Sequence, residues 1–150
     1  MTREFSCRTP DETFDLGEKI SRELLAGDVL LLAGELGAGK TLLTKGILRG
    51  LDYDVDEVTS PSFTLVNLYK TSTLDVYHID LWRLDGKVDA AEAVGLDEIL
   101  ENPRAVVIIE WPDRLSSLPD AVRAIEITIS GDGEDARRIR VQFPPEANIA

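Results

Sequence analysis

The segment GELGAGKT, residues 34–41, decides the fold of this 150-residue chain. It matches the pattern G-x-x-x-x-G-K-[ST] at all of its fixed positions, which are Gly34, Gly39, Lys40 and Thr41. In such a loop, glycines let the backbone N–H groups converge on phosphate oxygens at the N-terminus of a helix. The lysine brings a charge to the β- and γ-phosphates, and the hydroxyl completes the coordination of Mg²⁺. The segment therefore predicts that the chain binds a nucleoside triphosphate with magnesium.

The sequence on either side of this loop supports the same interpretation. DVLLLAG (28–34) is a short apolar run that is typical of a strand buried on both faces. After the loop, Leu43, Ile47 and Leu51 recur every four residues and predict a helix. A phosphate loop has to follow a strand and open a helix, whereas a glycine-rich turn with a solvent-exposed lysine does not. The chain lacks the Asn-Lys-x-Asp tetrapeptide typical of Ras-like GTPases, which favours ATP over GTP.

Two further helices are indicated by their caps and their apolar spacing. Residues 9–12, TPDE, read as a capping box with proline at the first helical position. The apolar stripe that follows predicts a helix that stops at Gly27. Residues 88–100 also have a helical pattern, and we expect a break at Gly95.

The remaining segments predict strands. Residues 63–70 and 74–81 alternate with period two around a short polar stretch and predict an antiparallel hairpin. AVVIIEW (105–111) predicts a buried strand that Pro112 ends, and two late strands are expected at 124–130 and 138–143. Strands on both sides of a strand–loop–helix unit favour an α/β, P-loop NTPase-like three-layer fold with a mixed sheet and an inserted antiparallel β-hairpin. We expect residues 1–150 to form a single domain.

Composition excludes several kinds of function. The net charge is −12, and such a chain repels the phosphate backbone of nucleic acids, whose affinity for proteins depends on Lys and Arg. The lone cysteine, Cys7, excludes an internal disulfide. The first residues contain no apolar segment typical of a secretory signal, and the apolar runs are too short to span a bilayer. We therefore expect a soluble, cytoplasmic protein without a membrane partner or strong direct binding to nucleic acid.

HIDLWRL (78–84) contains the only histidine of the chain. By strand alternation Tyr77, Ile79 and Leu81 share one face, which has a core-like composition. His78, Asp80 and Trp82 share the other face, and these residues either point outward as a polar surface or face a cleft. One histidine and one cysteine are too few ligands for a structural zinc site. The residues alone leave the two orientations open.

A second acid is expected near the phosphate loop. A P-loop site needs an acid at the end of a neighbouring buried strand to orient the hydrated Mg²⁺. Glu110 ends the run VVIIE (106–110) and fits this requirement, although the usual residue is aspartate. The alternative is that Glu110 is a solvent-exposed acid at a strand end.

Four segments in this order resemble the TsaE family of small bacterial ATPases, which serve tRNA threonylcarbamoyladenosine biosynthesis. They are GELGAGKT, SPSFTLVNLY (60–69), HIDLWRL and IIEWPDRL (108–115), and the resemblance covers nearly the whole chain. The resemblance implies a P-loop core with inserted antiparallel strands, hydrolysis of ATP with Mg²⁺, and action on the TsaB–TsaD complex.

Carried over by position, the resemblance assigns the site residues. It implies that the phosphate cradle consists of Leu36, Gly37, Ala38, Gly39, Lys40 and Thr41. It assigns Thr41 and Glu110 to Mg²⁺, and Lys40 and Asp80 to catalysis, with Asp80 orienting the attacking water or a metal-bound water.

Some positions depart from the family pattern or stay unassigned. Ser62 stands where threonine is more usual in a switch-like loop, Leu68 replaces a commonly acidic residue, and Trp82 replaces the usual tyrosine. His78 is expected to support the site through a hydrogen bond, and Trp111 has no assigned role. GDGEDAR (131–137) is a candidate for contact with the adenine.

Turnover and alternative activities also follow from the pattern. Strict alternation puts Arg83 on the face opposite Asp80, so it is a poor arginine finger, and we expect slow hydrolysis that partner proteins stimulate. A P-loop also suits a small-molecule kinase, but such kinases normally carry an arginine-rich lid that is not evident here. A nucleotide-dependent assembly factor that barely hydrolyses ATP is the other alternative.

Overall fold

The computed structural model describes residues 1–35, 38–58, 65–84, 88–131, 134 and 136–144. The strands within these ranges are β1 (Thr2–Cys7), β2 (Asp28–Gly34), β3 (Val66–Lys70), β4 (Asp75–Asp80), β5 (Ala105–Glu110), β6 (Arg123–Ser130) and β7 (Arg137–Gln142). The helices are α1 (Pro10–Ser21), α2 (Lys40–Gly50), α3 (Ala90–Val94) and α4 (Leu96–Leu100). Every helix in the described part of the chain is too short or too polar for a membrane span.

The strands form one mixed sheet of seven strands in the order β1-β7-β6-β2-β5-β4-β3. The four central strands, β6, β2, β5 and β4, are parallel. The pairs β1–β7, β6–β7 and β3–β4 are antiparallel. The predicted mixed α/β sheet with its antiparallel hairpin is confirmed, and the parallel centre brings the carboxyl ends of four strands to the same edge.

Helices cover both faces of this sheet. One apolar cluster joins α1 and α2 to the sheet, and a second cluster joins α3 and α4 to the opposite face. Consecutive residues of β5 alternate between them, with Val106 and Ile108 in the first cluster and Val107 and Ile109 in the second. Burial on both faces explains why the central strands read as continuous apolar runs in the sequence.

Close packing holds α2 against α1. A side chain on Gly46 would overlap the carbonyl oxygen of Phe14, and a Cβ on Gly17 would lie 2.8 Å from the Cα of Gly46. Glycine at both positions lets the two backbones touch. The helix that opens at the phosphate loop is therefore held directly against the first helix.

The ends of α1 differ partly from the sequence prediction. Thr9 caps it as predicted, since the Thr9 hydroxyl accepts from the Glu12 N–H at 3.2 Å. The predicted stop at Gly27 is wrong, because α1 ends at Ser21. The N–H groups of Glu23 and Leu24 donate to carbonyls three residues earlier, which tightens the chain into turns. Leu24 stays buried although it lies outside the helix.

Most other elements lie where the sequence predicts them. The break at Gly95 is confirmed, with φ at 69° between α3 and α4. The first strand, β1, was not predicted; it pairs with β7 at the sheet edge. Several predicted features lie outside the described residues: Leu36, Gly37, Ser62 and part of GDGEDAR.

Candidate nucleotide and metal site

The candidate site lies where the carboxyl ends of the central parallel strands meet the N-terminus of α2. Asp80 ends β4 and Glu110 ends β5, and the two residues are register partners. Leu32 of β2 is also a register partner of Glu110, and β2 ends two residues later at the phosphate loop. The edge of the sheet thus brings the two predicted acids next to GELGAGKT, as a parallel arrangement requires.

Lys40 is folded towards the strand ends. Gly39 precedes it with φ at 110°, a left-handed conformation that suits glycine, and Lys40 begins α2. The Lys40 Nζ donates to the Gly34 carbonyl oxygen at 2.8 Å and lies 4.0 Å from the Glu110 Oε1. Burial lowers the pKa of Lys40, although the negative charges of Glu110 and Asp80 oppose this effect.

Glu110 is buried, with 4% of its surface exposed. Its Oε2 lies 2.6 Å from the Nε2 of His78, and its Oε1 faces Lys40. The alternative of a solvent-exposed acid at a strand end is therefore wrong. Each oxygen of this carboxylate faces a different nitrogen group of the protein.

His78 is completely buried, at 0% exposure, on the side of the sheet that α1 and α2 cover. It shares that face with Val76, which belongs to the same cluster. The alternative of an outward polar face is therefore wrong for His78 and for Asp80, which is also buried, whereas Trp82 is 41% exposed. Among the described residues, the His78 Nδ1 has no hydrogen-bond partner.

Asp80 is held in place by the turn that follows it. Its Oδ1 accepts from the backbone N–H of Trp82 at 2.9 Å. Its own N–H donates to the carbonyl of Leu65 at 2.9 Å, beyond the start of β3. Arg83 lies in the turn after β4 and not in the strand, so strict alternation does not place it.

Trp111 covers one side of the site. It follows Glu110 directly and has φ at 60°, an uncommon value for a residue with a side chain. Its ring lies 4.4 Å from the Trp82 ring, and the Lys40 Nζ lies 4.0 Å from its centroid. The turn after β5 therefore places an aromatic face over the lysine of the phosphate loop.

The oxygen groups at this edge suit magnesium together with a phosphate. Asp80 and Glu110 offer carboxylates, and Thr41 stands in the first turn of α2. In the described part of the chain, no group of three or more His, Cys, Asp or Glu side chains could hold a metal ion. Mg²⁺ usually takes one or two carboxylates and completes its shell with water and substrate phosphates. The donor set fits an ion that arrives with a nucleotide.

A cavity of about 260 Å³ lies on the other side of the phosphate loop. Its walls include Thr9 and Thr13 at the start of α1, Ala38 in the loop and Leu42 in α2. Arg137 also lines the cavity, and its Nε donates to the Ala38 carbonyl at 2.9 Å. The segment GDGEDAR thus contacts the phosphate loop through its last residue.

Comparisons with known proteins agree on one family. The family model described as threonylcarbamoyl adenosine biosynthesis protein TsaE matches residues 7–139. The chain is 37% identical over 131 residues to the tRNA threonylcarbamoyladenosine biosynthesis protein TsaE of Bacillus subtilis, which covers 87% of this chain and 78% of the relative. The TsaE of Synechocystis is 37% identical over 117 residues, which covers 77% of this chain and 74% of the relative.

A solved structure has the same fold. The crystal structure of YdiB from Bacillus subtilis superposes with a TM-score of 0.68 and 31% sequence identity, over 95% of this chain and 86% of that chain. The resemblance seen in the four sequence segments is thereby confirmed. The chain belongs to the TsaE family of threonylcarbamoyladenosine biosynthesis proteins.

Proposed function

We propose that this protein binds ATP with Mg²⁺ and hydrolyses it, and that it acts on the TsaB–TsaD complex in threonylcarbamoyladenosine modification of tRNA. One observation carries the proposal. Asp80 and Glu110 are paired at the ends of neighbouring parallel strands, and Lys40 of the phosphate loop lies 4.0 Å from Glu110. Membership of the TsaE family supports the assignment to tRNA modification.

The phosphate loop binds the triphosphate. The backbone N–H groups of residues 36–41 donate to the phosphate oxygens, and the Lys40 Nζ exchanges the Gly34 carbonyl oxygen for a phosphate oxygen as its acceptor. Thr41 and Glu110 hold the Mg²⁺, which neutralises charge on the phosphates when it is bound.

Asp80 acts on the attacking water. Its carboxylate accepts the Trp82 N–H, which fixes one oxygen and the orientation of the group. A carboxylate held at the end of a strand beside the phosphate loop can accept a hydrogen bond from a water and aim it at the terminal phosphate.

Partner proteins stimulate hydrolysis in this proposal. An arginine finger contributes roughly 10³ to 10⁵ in rate. Arg83, the arginine of HIDLWRL, lies in an exposed turn beyond β4 and is a poor candidate for that role. Hydrolysis by this protein alone is therefore slow. The net charge of −12 favours a protein partner over direct contact with the tRNA backbone.

Phosphate release, measured with and without purified TsaB–TsaD, tests this proposal. We expect Lys40→Ala to lose nucleotide binding, because the buried charge beside the loop is gone. Asp80→Ala should bind ATP normally and lose at least about 100-fold in turnover. Equal rates with and without the partners would contradict stimulation, and normal turnover by Asp80→Ala would contradict its role.

Transfer of labelled phosphate to a small molecule would indicate a kinase, whereas ATP binding without phosphate release would indicate an assembly factor.

The cavity beside Ala38 receives the nucleobase in this proposal. Its volume of about 260 Å³ is slightly below the roughly 300 to 1,000 Å³ of a whole small-molecule site, and it adjoins the phosphate loop. A base there would lie between the start of α1 and Arg137, with the phosphates extending across the loop towards Lys40.

Filling this cavity should separate recognition of the base from recognition of the phosphates. We expect Leu42→Trp to weaken ATP binding by about tenfold or more. The base would overlap the larger side chain and lose apolar burial, and each effect costs about 1 kcal/mol. Binding of inorganic triphosphate to the same variant should not change. Arg49→Trp, at an exposed position of the same helix, is the control. An equal loss for ATP and triphosphate would place the base elsewhere.

A further inference from the structure

His78 has surroundings that packing alone does not explain. The residue is completely buried, and its Nδ1 has no hydrogen-bond partner in the part of the chain that the structure describes. An unpaired buried polar atom costs about 1–3 kcal/mol, and an apolar side chain of similar size would avoid this cost. The other nitrogen makes a contact that can offset this cost.

That nitrogen, Nε2, makes a short contact to a carboxylate. It lies 2.6 Å from the Glu110 Oε2, and both side chains project from neighbouring strands on the face covered by α1 and α2. We assign the donor in this contact to the Nε2–H of the ring, because a carboxylate accepts hydrogen bonds. The bond leaves the other oxygen, Oε1, directed at Lys40 and the phosphate loop.

The two partners of Glu110 differ in how firmly they are placed. Lys40 reaches the site through a long side chain and also bonds the Gly34 carbonyl, so it can change partners when phosphate binds. The His78 ring is short, fully buried and fixed by its strand. When Lys40 turns to phosphate, the histidine still orients the carboxylate.

We propose that His78 is a positioning residue, which holds Glu110 by its Nε2–H so that Oε1 faces the phosphate loop and binds Mg²⁺ there. This inference rests on the proposed function, because it concerns the same metal site. Groups that orient a metal ligand usually contribute 10- to 100-fold in metal affinity or activity. His78 therefore sets the affinity of the site for the metal and not for the nucleotide.

Manganese binding to the full chain tests the proposal without relying on hydrolysis. Free Mn²⁺ is measured by electron paramagnetic resonance in the presence of a non-hydrolysable ATP analogue, and analogue binding is measured separately in EDTA. Glutamine at position 78 can place an N–H donor where Nε2 lies, whereas asparagine reaches only the position of Nδ1. The variants are His78→Gln, His78→Asn and His78→Leu, with Val76→Ala as the control on the same strand face.

We expect His78→Asn and His78→Leu to raise the apparent Kd for Mn²⁺ by about 10- to 100-fold, with His78→Gln within about threefold of the parent protein. Analogue binding in EDTA should stay the same in all three. Val76→Ala should lower the melting temperature and leave the Mn²⁺ affinity unchanged, because it only removes apolar contacts.

Two results would overturn this inference and leave the proposed function standing. They are a normal Mn²⁺ affinity in His78→Leu, or equal Mn²⁺ affinities in His78→Gln and His78→Asn. If His78→Leu does not fold, the comparison between glutamine and asparagine still decides. Absence of analogue-dependent Mn²⁺ binding by the unsubstituted protein would overturn the proposed function, and this inference with it.

Discussion

Two buried acids lie at opposite ends of the central parallel strands, and their surroundings differ. Asp28 begins β2 and is 1% exposed. Its carboxylate accepts from the Leu25 N–H at 2.8 Å and from the Arg123 Nη1 at 3.2 Å. Glu110 ends β5, and its neighbours are His78 and Lys40.

The partners of the two acids explain the difference. Those of Asp28 are a backbone amide in a turn and an arginine from β6, the strand next to β2. Those of Glu110 include a lysine that also bonds a carbonyl, and a histidine whose second nitrogen is unpaired in the described part of the chain. Burial alone therefore does not identify a functional acid. An acid whose partners can be exchanged is the better candidate, and substitutions at both ends can test this distinction.

When each acid is changed to its amide, the largest effect is expected for Glu110. Glu110→Gln removes the charge that faces the phosphate loop, and we expect Mg²⁺-dependent ATP hydrolysis to fall by at least about 100-fold, because a bound metal stabilises transition-state charge by several kcal/mol. Asp28→Asn should hydrolyse ATP at the normal rate, because Asp28 lies at the far end of β2 from the loop. Phosphate release at saturating ATP and Mg²⁺ measures both variants, and circular dichroism checks that they fold. Equal losses in the two variants would remove the distinction between the ends.

The residues of the candidate site differ in how far the sequence alone could indicate them. The phosphate loop and Glu110 were predicted from a loop motif and a strand end, which are local signals, whereas Asp80 was assigned through the resemblance to the TsaE family. Parallel pairing brings the ends of β2, β4 and β5 together. The contact between His78 and Glu110 joins residues 32 positions apart, and alternation alone could not tell which face of β4 helices cover. That contact depends on tertiary packing that a single strand does not reveal.

The two incorrect or missing elements have similar causes. The strand β1 contains only two apolar side chains, Phe5 and Cys7, because it lies at the sheet edge and is largely exposed. Its pairing with β7 depends on a partner more than a hundred residues away. The early end of α1 was missed because Leu24 continues the helical spacing, although it reaches the core from a turn. In both places, long-range contacts outweigh the local pattern.

A smaller effect, on stability only, is expected at the amino end. Asp28→Ala leaves the Leu25 N–H without its acceptor and removes the partner of Arg123. Since the arginine side chain is 37% exposed, it can turn to water, and most of the cost comes from the amide. We expect the free energy of unfolding to fall by about 2 kcal/mol in urea denaturation, with ATP hydrolysis unchanged. Glu126→Ala, an exposed acid on β6, is the control and should stay within about 0.5 kcal/mol. A similar loss in both variants would mean that the Asp28 contacts do not stabilise the fold.

The smallest effect is a dependence on pH that the Asp28→Asn variant isolates. Burial raises the pKa of Asp28, and the Leu25 N–H and Arg123 only partly oppose it. The folded protein therefore binds this proton more tightly than the unfolded chain, so the stability that Asp28 contributes is complete below its ordinary pKa of 3.8 and is lost as the pH rises through the folded value. Asparagine does not titrate, so the unfolding free energy of the parent protein minus that of Asp28→Asn should decrease as the pH rises from about 4 to about 7. Urea denaturation of both proteins across this range measures the difference. If the difference in unfolding free energy grows with pH, the ion pair with Arg123 outweighs burial. Asp28 would then be stabilised as an anion at the amino end of β2.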